Sequence, residues 1–404
     1  MRKPFLHVHF IDSLKMGILG LFDMLRKETG TAIKQTTISN YAGATVGIDI
    51  SSFMYKWIYL VGDDPEALEK NALDFIVFFL QNEIIPICVF DGSKIPPGKA
   101  ATLLARKKRR EAVQIKISAA QTQLETLEAK LVKLKAHVDV PVASDTEVKA
   151  VGDQPGPPIG EQPRPTIGEQ PVSVPPVEQP VGEKPIEVSK PIEKVEELIT
   201  QKHLLQADLK KYNTQVIKVL PRHIEPIMAK FKEYGIPMIV AEYEADFVLN
   251  KLAKENMVGY LVADDGDLLV DMPPHVKLLR QVNKHRFGTV EIDEYDKATI
   301  LLELGIEQDQ FRELCILLGC DYCDRIPGYG IVRNLKLIRS YTTIEVILDQ
   351  EKRMKKNTPK DYMDFVKTSR KYFQTGLGED DLEPLKSQLK NFKIGEVYSR
   401  ITSK

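Results

Sequence analysis

Seven acidic side chains stand at or just beyond the ends of short apolar runs: Asp49, Asp91, Glu242, Glu244, Asp265, Asp267 and Asp321. If folding gathers them into one pocket, their charges repel one another unless cations neutralise them. Carboxylate oxygens without histidine favour Mg²⁺ or Mn²⁺ over zinc. Two such ions about 3.5–4 Å apart can clamp both the attacking and the leaving oxygen of a phosphodiester. The pattern therefore predicts two-metal phosphodiester chemistry, and the alternative is that these acids are separate solvated residues or helix caps.

Four of the apolar runs are rich in β-branched residues and end in these acids, at 44–49, 84–91, 236–242 and 258–265. Apolar runs without alternation are typical of strands buried on both faces of a parallel sheet. Helical patterns at 65–82 and 244–255 lie between them, which predicts an α/β layer architecture. In such sheets the functional site lies at the carboxyl ends of the strands, where the acids fall.

The middle of the chain departs from this pattern. Apolar residues recur at alternating spacings of four and three from Val113 to Val138, and again from Leu205 to Val219. This spacing favours an antiparallel helical hairpin, although two ordinary amphipathic helices would also fit. The proline-rich segment 139–190 between them lacks large apolar residues, so we expect it to be disordered or polyproline-like, with a peptide-docking role as the alternative.

Composition excludes several classes of protein. The formal net charge is −1, so affinity for nucleic acid must come from local basic clusters. No apolar stretch reaches the roughly 18 residues that cross a bilayer, and the N-terminus is a poor signal peptide. The four cysteines are too few for a disulfide framework and indicate a reducing compartment. Cys320 and Cys323 have no second pair to complete a zinc site, so we interpret them as structural.

A long ordered set of motifs carries a family resemblance. The set comprises Met16-Gly-Ile-Leu-Gly-Leu21, Ile48-Asp49, Val89-Phe-Asp-Gly92, Glu242-Tyr-Glu-Ala245, Asp264-Asp-Gly-Asp267, Leu314-Cys-Ile-Leu-Leu-Gly-Cys-Asp-Tyr322 and Gly328-Tyr-Gly330. Together they resemble the flap endonuclease superfamily of structure-specific 5′ nucleases, which includes the XPG and 5′→3′ exonuclease groups. The resemblance implies an α/β PIN-like nuclease core with a mostly parallel sheet and helices on both faces. It also implies a helical arch, here enlarged by the coiled-coil and proline-rich insertion, and a C-terminal helix–two-turn–helix.

The resemblance also implies roles for individual residues. The seven carboxylates would bind two Mg²⁺ ions, with Mn²⁺ as a substitute, while Lys99 and Arg106 would steer the scissile phosphate and stabilise its charge. Tyr55 would stack on a base near the cut, and Gly17 would pack beside the site. Gly328 and Gly330 would approach a DNA phosphate, with a possible K⁺ that the bulkier Tyr329 and the polar Asn334 put in question. The alternatives are a solvated basic helix face for Lys99 and Arg106 and a core position for Tyr55.

We divide the chain into an N-terminal extension at 1–15, a nuclease region at 16–112, an arch insertion at 113–217, an internal nuclease region at 218–320 and a C-terminal helical region at 321–404. Superfamily members begin at the equivalent of Met16, so we expect translation to start there or the extension to be removed. N-terminal mass spectrometry would test this.

The expected function is hydrolysis of DNA at 5′ flaps or junctions in replication or repair, by a monomer in the nucleus or another intracellular replication compartment. A 5′→3′ exonuclease of the same superfamily is the alternative, favoured by Glu242-Tyr-Glu-Ala-Asp246. A catalytically inactive scaffold fits less well because such members lose the metal-binding acids. RNA as substrate stays open, and no sequence motif supports binding to a sliding clamp.

Overall fold

The computed structural model describes residues 17–138, 189–282 and 291–403. The N-terminal extension and nearly all of the proline-rich segment lie outside these described residues. The chain divides into two compact units, one formed by the residues up to Gln114 and from Asn213 onward, the other by Ile115–Tyr212. The acids and basic residues singled out above all belong to the first unit.

The described part of the first unit contains one seven-stranded sheet in the order β1-β7-β6-β5-β2-β3-β4. Its strands are β1 (Ile33–Thr37), β2 (Thr45–Asp49), β3 (Ile85–Phe90), β4 (Met238–Val240), β5 (Tyr260–Val262), β6 (Lys277–Arg280) and β7 (Glu291–Asp296). The five strands from β6 to β4 are parallel, whereas β7 pairs antiparallel with β6 and β1. The four predicted strands are confirmed as β2 to β5, and β1, β6 and β7 were not predicted.

Helices make up most of the remaining described chain. They are α1 (Leu21–Glu28), α2 (Ile50–Val61), α3 (Pro65–Gln81), α4 (Ala100–Val138), α5 (Ser189–Gln215), α6 (Pro221–Tyr234), α7 (Ala245–Lys254), α8 (Asp267–Asp271), α9 (Lys297–Leu304), α10 (Gln308–Leu318), α11 (Ile331–Tyr341), α12 (Ile344–Gln350), α13 (Lys352–Asn357), α14 (Tyr362–Thr375), α15 (Glu383–Asn391) and α16 (Ile394–Thr402). The predicted helices at 65–82 and 244–255 are confirmed as α3 and α7. Among the described helices, none combines the length and apolarity needed to span a membrane.

Both faces of the central sheet are covered by helices. Ile87 and Val89 of β3 pack in a core that includes α7, α8 and α10, while Cys88 and Phe90 pack in a second core with α2, α3 and α6. Successive strand residues face opposite sides of a sheet, so a strand covered twice must be apolar at every position. This explains the uninterrupted apolar runs and confirms the predicted α/β fold class.

The second unit consists of portions of α4 and α5 that pack antiparallel. Glu128 Oε1 lies 2.7 Å from Lys202 Nζ. The Lys116 ammonium lies 6.0 Å from the ring centre of Tyr212. Residue numbers therefore increase along α4 while they decrease along the facing part of α5, as the predicted hairpin requires.

The predicted apolar seam of this hairpin is partly buried. Ile117 and Leu131 on the seam are buried, whereas Ile115 beside it is exposed. The helix α5 begins at Ser189 and ends at Gln215, so Val216 and Val219 lie beyond it. The prediction that these two valines belong to the helical seam is therefore wrong, because the chain turns toward α6 before reaching them.

Candidate active site

The carboxyl ends of β2 and β3 carry the first two predicted ligands. Asp49 is the last residue of β2 and caps α2, where its Oδ1 accepts the N–H of Ser52 at 3.1 Å. Asp91 follows β3; its Oδ1 accepts the N–H of Ala245 at 2.9 Å, and its own N–H donates to Ser51 Oγ at 2.9 Å. The loops after the two strands and the start of α7 are thus held together around these carboxylates.

Three more predicted ligands come from the segments after β5 and α10. The N–H of Asp267 donates to Asp265 Oδ1 at 3.3 Å, which folds this short loop back on itself. Asp321 follows α10 and is buried. Asp267 Oδ1 is buried and has no hydrogen-bond partner among the described residues. A buried carboxylate oxygen without a partner is costly, and a bound cation would satisfy it.

Asp246 lies in the cluster although the sequence analysis did not single it out as a ligand. Glu244 is the N-cap of α7 and Asp246 is in its first turn. Burial, followed by the charges of Asp49 and Asp265, raises the pKa of the Asp246 carboxyl well above its usual value. The signal available in the sequence was the two-residue spacing from Glu244, which equals that between Asp265 and Asp267.

Glu242, predicted as a metal ligand, lies outside the cluster. Its Oε1 lies 2.5 Å from Lys94 Nζ and its Oε2 accepts the N–H of Glu379 at 3.2 Å. The hydrogen bond from Lys94 is the main reason that the pKa of Glu242 is lowered. The strand β4 already ends at Val240, so Glu242 lies in the connecting loop, where its side chain turns to Lys94. In this structure Asp246, rather than Glu242, therefore lies among the clustered carboxylates, and metal ligation by Glu242 stays a prediction.

The carboxylates whose charges act on one another are Asp49, Asp91, Glu244, Asp246, Asp265, Asp267 and Asp321. Burial, and next the charge of Asp91, raises the pKa of Asp49 to about 8. Burial and then Asp321 raise the pKa of Asp265, and burial and then Asp265 raise that of Asp267. The pocket thus disfavours the bare anions, so cations are needed to hold them charged near neutral pH.

Lys99 and Arg106 supply positive charge within this cluster. Lys99 Nζ lies 2.9 Å from Asp321 Oδ2 and also contacts Glu244, whose other oxygen accepts the hydroxyl of Tyr322. Arg106 donates to Asp321 Oδ1. Burial opposes the charge on Lys99, but Asp321 and Glu244 outweigh it and raise the pKa of its ammonium. The two basic side chains therefore lie where a phosphate could meet the carboxylates.

The donor set fits divalent cations, although the side chains do not form a closed cage. In the parts of the chain that the structure describes, no three metal-ligating side chains surround one point at ligation distance. Two basic side chains instead reach in among the acids. The seven donors are nevertheless all carboxylates, which hard cations such as Mg²⁺ prefer. The unpartnered oxygen of Asp267 and the raised pKa values of the clustered carboxyls both mean that bound positive charge would stabilise this pocket.

Comparison with known proteins finds similarity to one group of nucleases. Models of the XPG N-terminal domain and the XPG I-region match residues 16–113 and 235–321. Flap endonuclease 1 of Nematostella vectensis is 26% identical over 369 residues, which are 89% of this chain and 75% of that protein. Flap endonuclease 1 of Glossina morsitans morsitans is 27% identical over 357 residues, 86% of this chain and 72% of that protein. The chain is therefore similar to flap endonucleases along most of its length and matches both XPG domains.

A solved structure agrees with the superfamily fold. The catalytic core of Rad2 in complex with DNA substrate has a TM-score of 0.52 and 15% identity to this chain, covering 95% of this chain and 98% of that one. At this identity the likeness shows the fold alone. The two intervals matched by the family models contain all seven clustered carboxylates and both Lys99 and Arg106. Neither interval includes the second unit, Ile115–Tyr212, which forms the helical hairpin.

Gly17 and Tyr55 border the acidic cluster. Gly17 has a φ of +68°, and a Cβ at this position would lie 1.7 Å from Asp265 Oδ1, so only glycine fits. Tyr55 is half-buried, and burial followed by the charge of Asp91 raises the pKa of its hydroxyl. Stacking of Tyr55 on a DNA base stays a prediction.

The predicted helix–two-turn–helix segment lies between α10 and α11. Gly328 has a φ of +83°, Gly330 is the N-cap of α11, and both are exposed. Asn334 is buried and donates to the carbonyls of Leu317 and Tyr329 at 3.1 and 3.5 Å. The Asn334 amide therefore stabilises the fold by these hydrogen bonds. Phosphate and K⁺ binding at the glycines stay predictions.

The cysteine pair after α10 fits the predicted structural role. Cys320 and Cys323 are free thiols, and the N–H of Cys320 donates to the Cys323 carbonyl at 2.9 Å. Burial raises the pKa of the Cys323 thiol to about 12. A buried, protonated thiol is a poor metal ligand, since the thiolate is the binding form.

Proposed function

We propose that this protein is a Mg²⁺-dependent, structure-specific 5′ nuclease that hydrolyses DNA at 5′ flaps or junctions. The observation that carries the proposal is the convergence of seven carboxylates and two basic side chains at the carboxyl edge of the sheet. Flap endonucleases and the DNA-bound Rad2 core among the matching proteins support the same substrate class.

The chemistry follows from the charges at the site. Two bound Mg²⁺ ions would neutralise the attacking and leaving oxygens of the phosphodiester. Asp246, Asp265 and Asp267 would hold such ions most directly, and the other four clustered carboxylates would complete their shells, partly through water. Lys99 and Arg106 turn from Asp321 to the scissile phosphate and stabilise its developing charge. Tyr55 stacks on a base beside the cut and holds it out of the duplex, an interaction of about 1–3 kcal/mol.

Mapping the cut on one 5′-flap DNA tests this function. We expect incision at the base of the flap with Mg²⁺ and none with EDTA. A recessed duplex without a flap, digested in parallel, separates flap cleavage from 5′→3′ exonuclease action, which would release nucleotides stepwise from the recessed end. An RNA flap tests the choice of nucleic acid. Absence of Mg²⁺-dependent cutting on every substrate would refute the proposal.

We also propose that the protein acts in the nucleus or another intracellular compartment in which DNA is replicated. The four free thiols are compatible with a reducing environment. Fractionation of cells, with the protein detected by an antibody, would test this, and recovery outside DNA-containing compartments would contradict it.

A further inference from the structure

Asp264 joins three elements immediately before the proposed ligand Asp265. Its Oδ1 accepts the N–H of Gln281, just after β6, at 3.3 Å. Its backbone carbonyl accepts hydrogen bonds from Nε and Nη2 of Arg280, at the end of β6, at 3.2 and 2.7 Å. Its Oδ2 forms an ion pair with the ammonium of Lys56, on α2. The loop after β5 is therefore fastened to α2 and to the end of β6 through one residue.

The ion pair of Lys56 and Asp264 is largely shielded from solvent. The two side chains are 13% and 16% exposed, and the Lys56 ammonium also lies 5.3 Å from the ring centre of Phe53. Salt screens such a pair much less than it screens charges on the surface. Removing one partner alone would leave an uncompensated buried charge. The contact therefore restrains both side chains, in contrast to exposed ion pairs, whose effect is small.

The contacts of Asp264 act directly on the backbone of Asp265. A peptide bond is planar, so the guanidinium that holds the Asp264 carbonyl also fixes the position of the Asp265 nitrogen. The guanidinium is itself held in place, because Arg280 is buried and its Cζ lies 3.3 Å from the ring centre of Phe22. The Asp265 carboxylate packs against Gly17, where any Cβ would collide with it. Asp265 therefore has little room to move while Asp264 stays in place.

The other end of the ion pair lies on the helix that carries a second proposed ligand. Asp49 caps α2 by accepting the N–H of Ser52, and Lys56 lies two helical turns after Asp49. The ion pair thus fixes the spacing between α2, with Asp49 at its start, and the loop that carries Asp265. Reacting groups at an active site tolerate little displacement, since a shift of about 1 Å can lower a rate by about 10²-fold.

We propose that Lys56 and Asp264 are positioning residues, whose ion pair sets the separation between the Asp265 and Asp49 carboxylates on which metal binding depends. In this role neither residue contacts the ions or the DNA. Partners that orient metal ligands change metal affinity or activity by about 10–100-fold when they are mutated. The inference rests on the proposed nuclease function and extends it to two residues beside the acidic cluster.

The substitutions Lys56→Met and Asp264→Asn test this role, because asparagine keeps the acceptor for the Gln281 N–H and removes only the charge opposite Lys56. Calorimetric titration with Mn²⁺ in the absence of DNA should show binding weakened about tenfold or more in both variants, and kcat on flap DNA should fall by a similar factor. A purely electrostatic influence predicts opposite shifts, since loss of the Lys56 charge would tighten cation binding and loss of the Asp264 charge would weaken it. Lys70→Met, at an exposed position on α3, should match wild type.

The double variant Lys56→Met with Asp264→Asn separates positioning from a general loss of stability. It leaves no buried charge unpaired, so its urea unfolding should approach that of wild type even if a single variant does not fold. Its Mn²⁺ affinity and kcat should nevertheless stay about as low as those of the single variants, because the ion pair is absent in all three. Wild-type Mn²⁺ affinity and kcat in the double variant, or tighter Mn²⁺ binding by Lys56→Met, would overturn the inference. Failure of the wild-type chain to cut any flap would instead refute the proposed function, and the Mn²⁺ titrations would still decide the positioning role.

Discussion

At the residue scale, sequence spacing alone does not decide whether Glu242 or Asp246 enters the acidic cluster. Glu242, Glu244 and Asp246 are each two residues apart, so the sequence offers two overlapping acidic pairs. The pair that enters the site is decided by the start of α7, because its N-cap and first turn face the other carboxylates. The position of a helix start relative to a strand end is uncertain by a few residues when inferred from sequence.

The clustered carboxylates predict a large loss of cleavage when one of them is replaced by its amide. Asp246→Asn should reduce single-turnover cleavage of flap DNA by about 10²–10³-fold, the scale for losing one electrostatic group at a reacting centre. Asp265→Asn should do the same. DNA binding in EDTA should be retained or strengthened in both variants, since less negative charge faces the phosphates. Asp364→Asn, at an exposed position on α14, is the matched control. Near-normal cleavage by Asp246→Asn would remove it from the proposed ligand set.

At the element scale, the four strands β2 to β5 and the hairpin were predictable, whereas β1, β6 and β7 were not. The predicted strands are apolar at almost every position because helices cover both faces. The neighbouring strands β1 and β7 have polar sequences such as Glu291-Ile-Asp-Glu-Tyr-Asp296, which give no run of apolar residues. β7 nevertheless pairs antiparallel with both β6 and β1.

The insertion between α4 and α5 predicts tolerance to deletion. Replacing residues 139–188 by a flexible linker of about ten residues keeps both helices of the hairpin and the segment that holds Lys99 and Arg106. The rate of cleavage of a simple flap should then stay close to wild type. Gel-based flap cleavage, with thermal unfolding as a check on folding, measures this. A large loss of turnover in a folded variant would show that the segment contributes to the reaction.

At the scale of the whole molecule, a buried lysine ties elements of the first unit together. Lys297 begins α9, is fully buried, and donates to the carbonyls of Val270 and Met272 at 2.8 Å each. Burial lowers the pKa of its ammonium to about 7. In the unfolded chain the pKa returns to about 10.4, so the unfolded state binds more protons between about pH 7 and 10. Its contribution to stability therefore increases with pH in that window.

Lys297→Met should remove this dependence. The free energy of unfolding of the wild type should rise more steeply with pH between 7 and 9 than that of the variant, by up to about 1.4 kcal/mol per pH unit. Urea unfolding at a series of pH values measures the two slopes, with exposed Lys336→Met as the control. Equal slopes in Lys297→Met and wild type would mean that Lys297 stays protonated in the folded protein.

The sequence by itself determined four of the five parallel strands, the hairpin and most of the acidic set, because apolar runs and acids at strand ends are local patterns. Asp49, Asp91, Asp265, Asp267 and Asp321 could be assigned in this way because each follows directly from where an apolar run stops. Only the tertiary structure decided that Asp246 enters the cluster and that Glu242 turns to Lys94 and the loop after α14. That choice depends on a contact between residues about 140 positions apart, Glu242 and Glu379, and no local pattern encodes which loop packs against which.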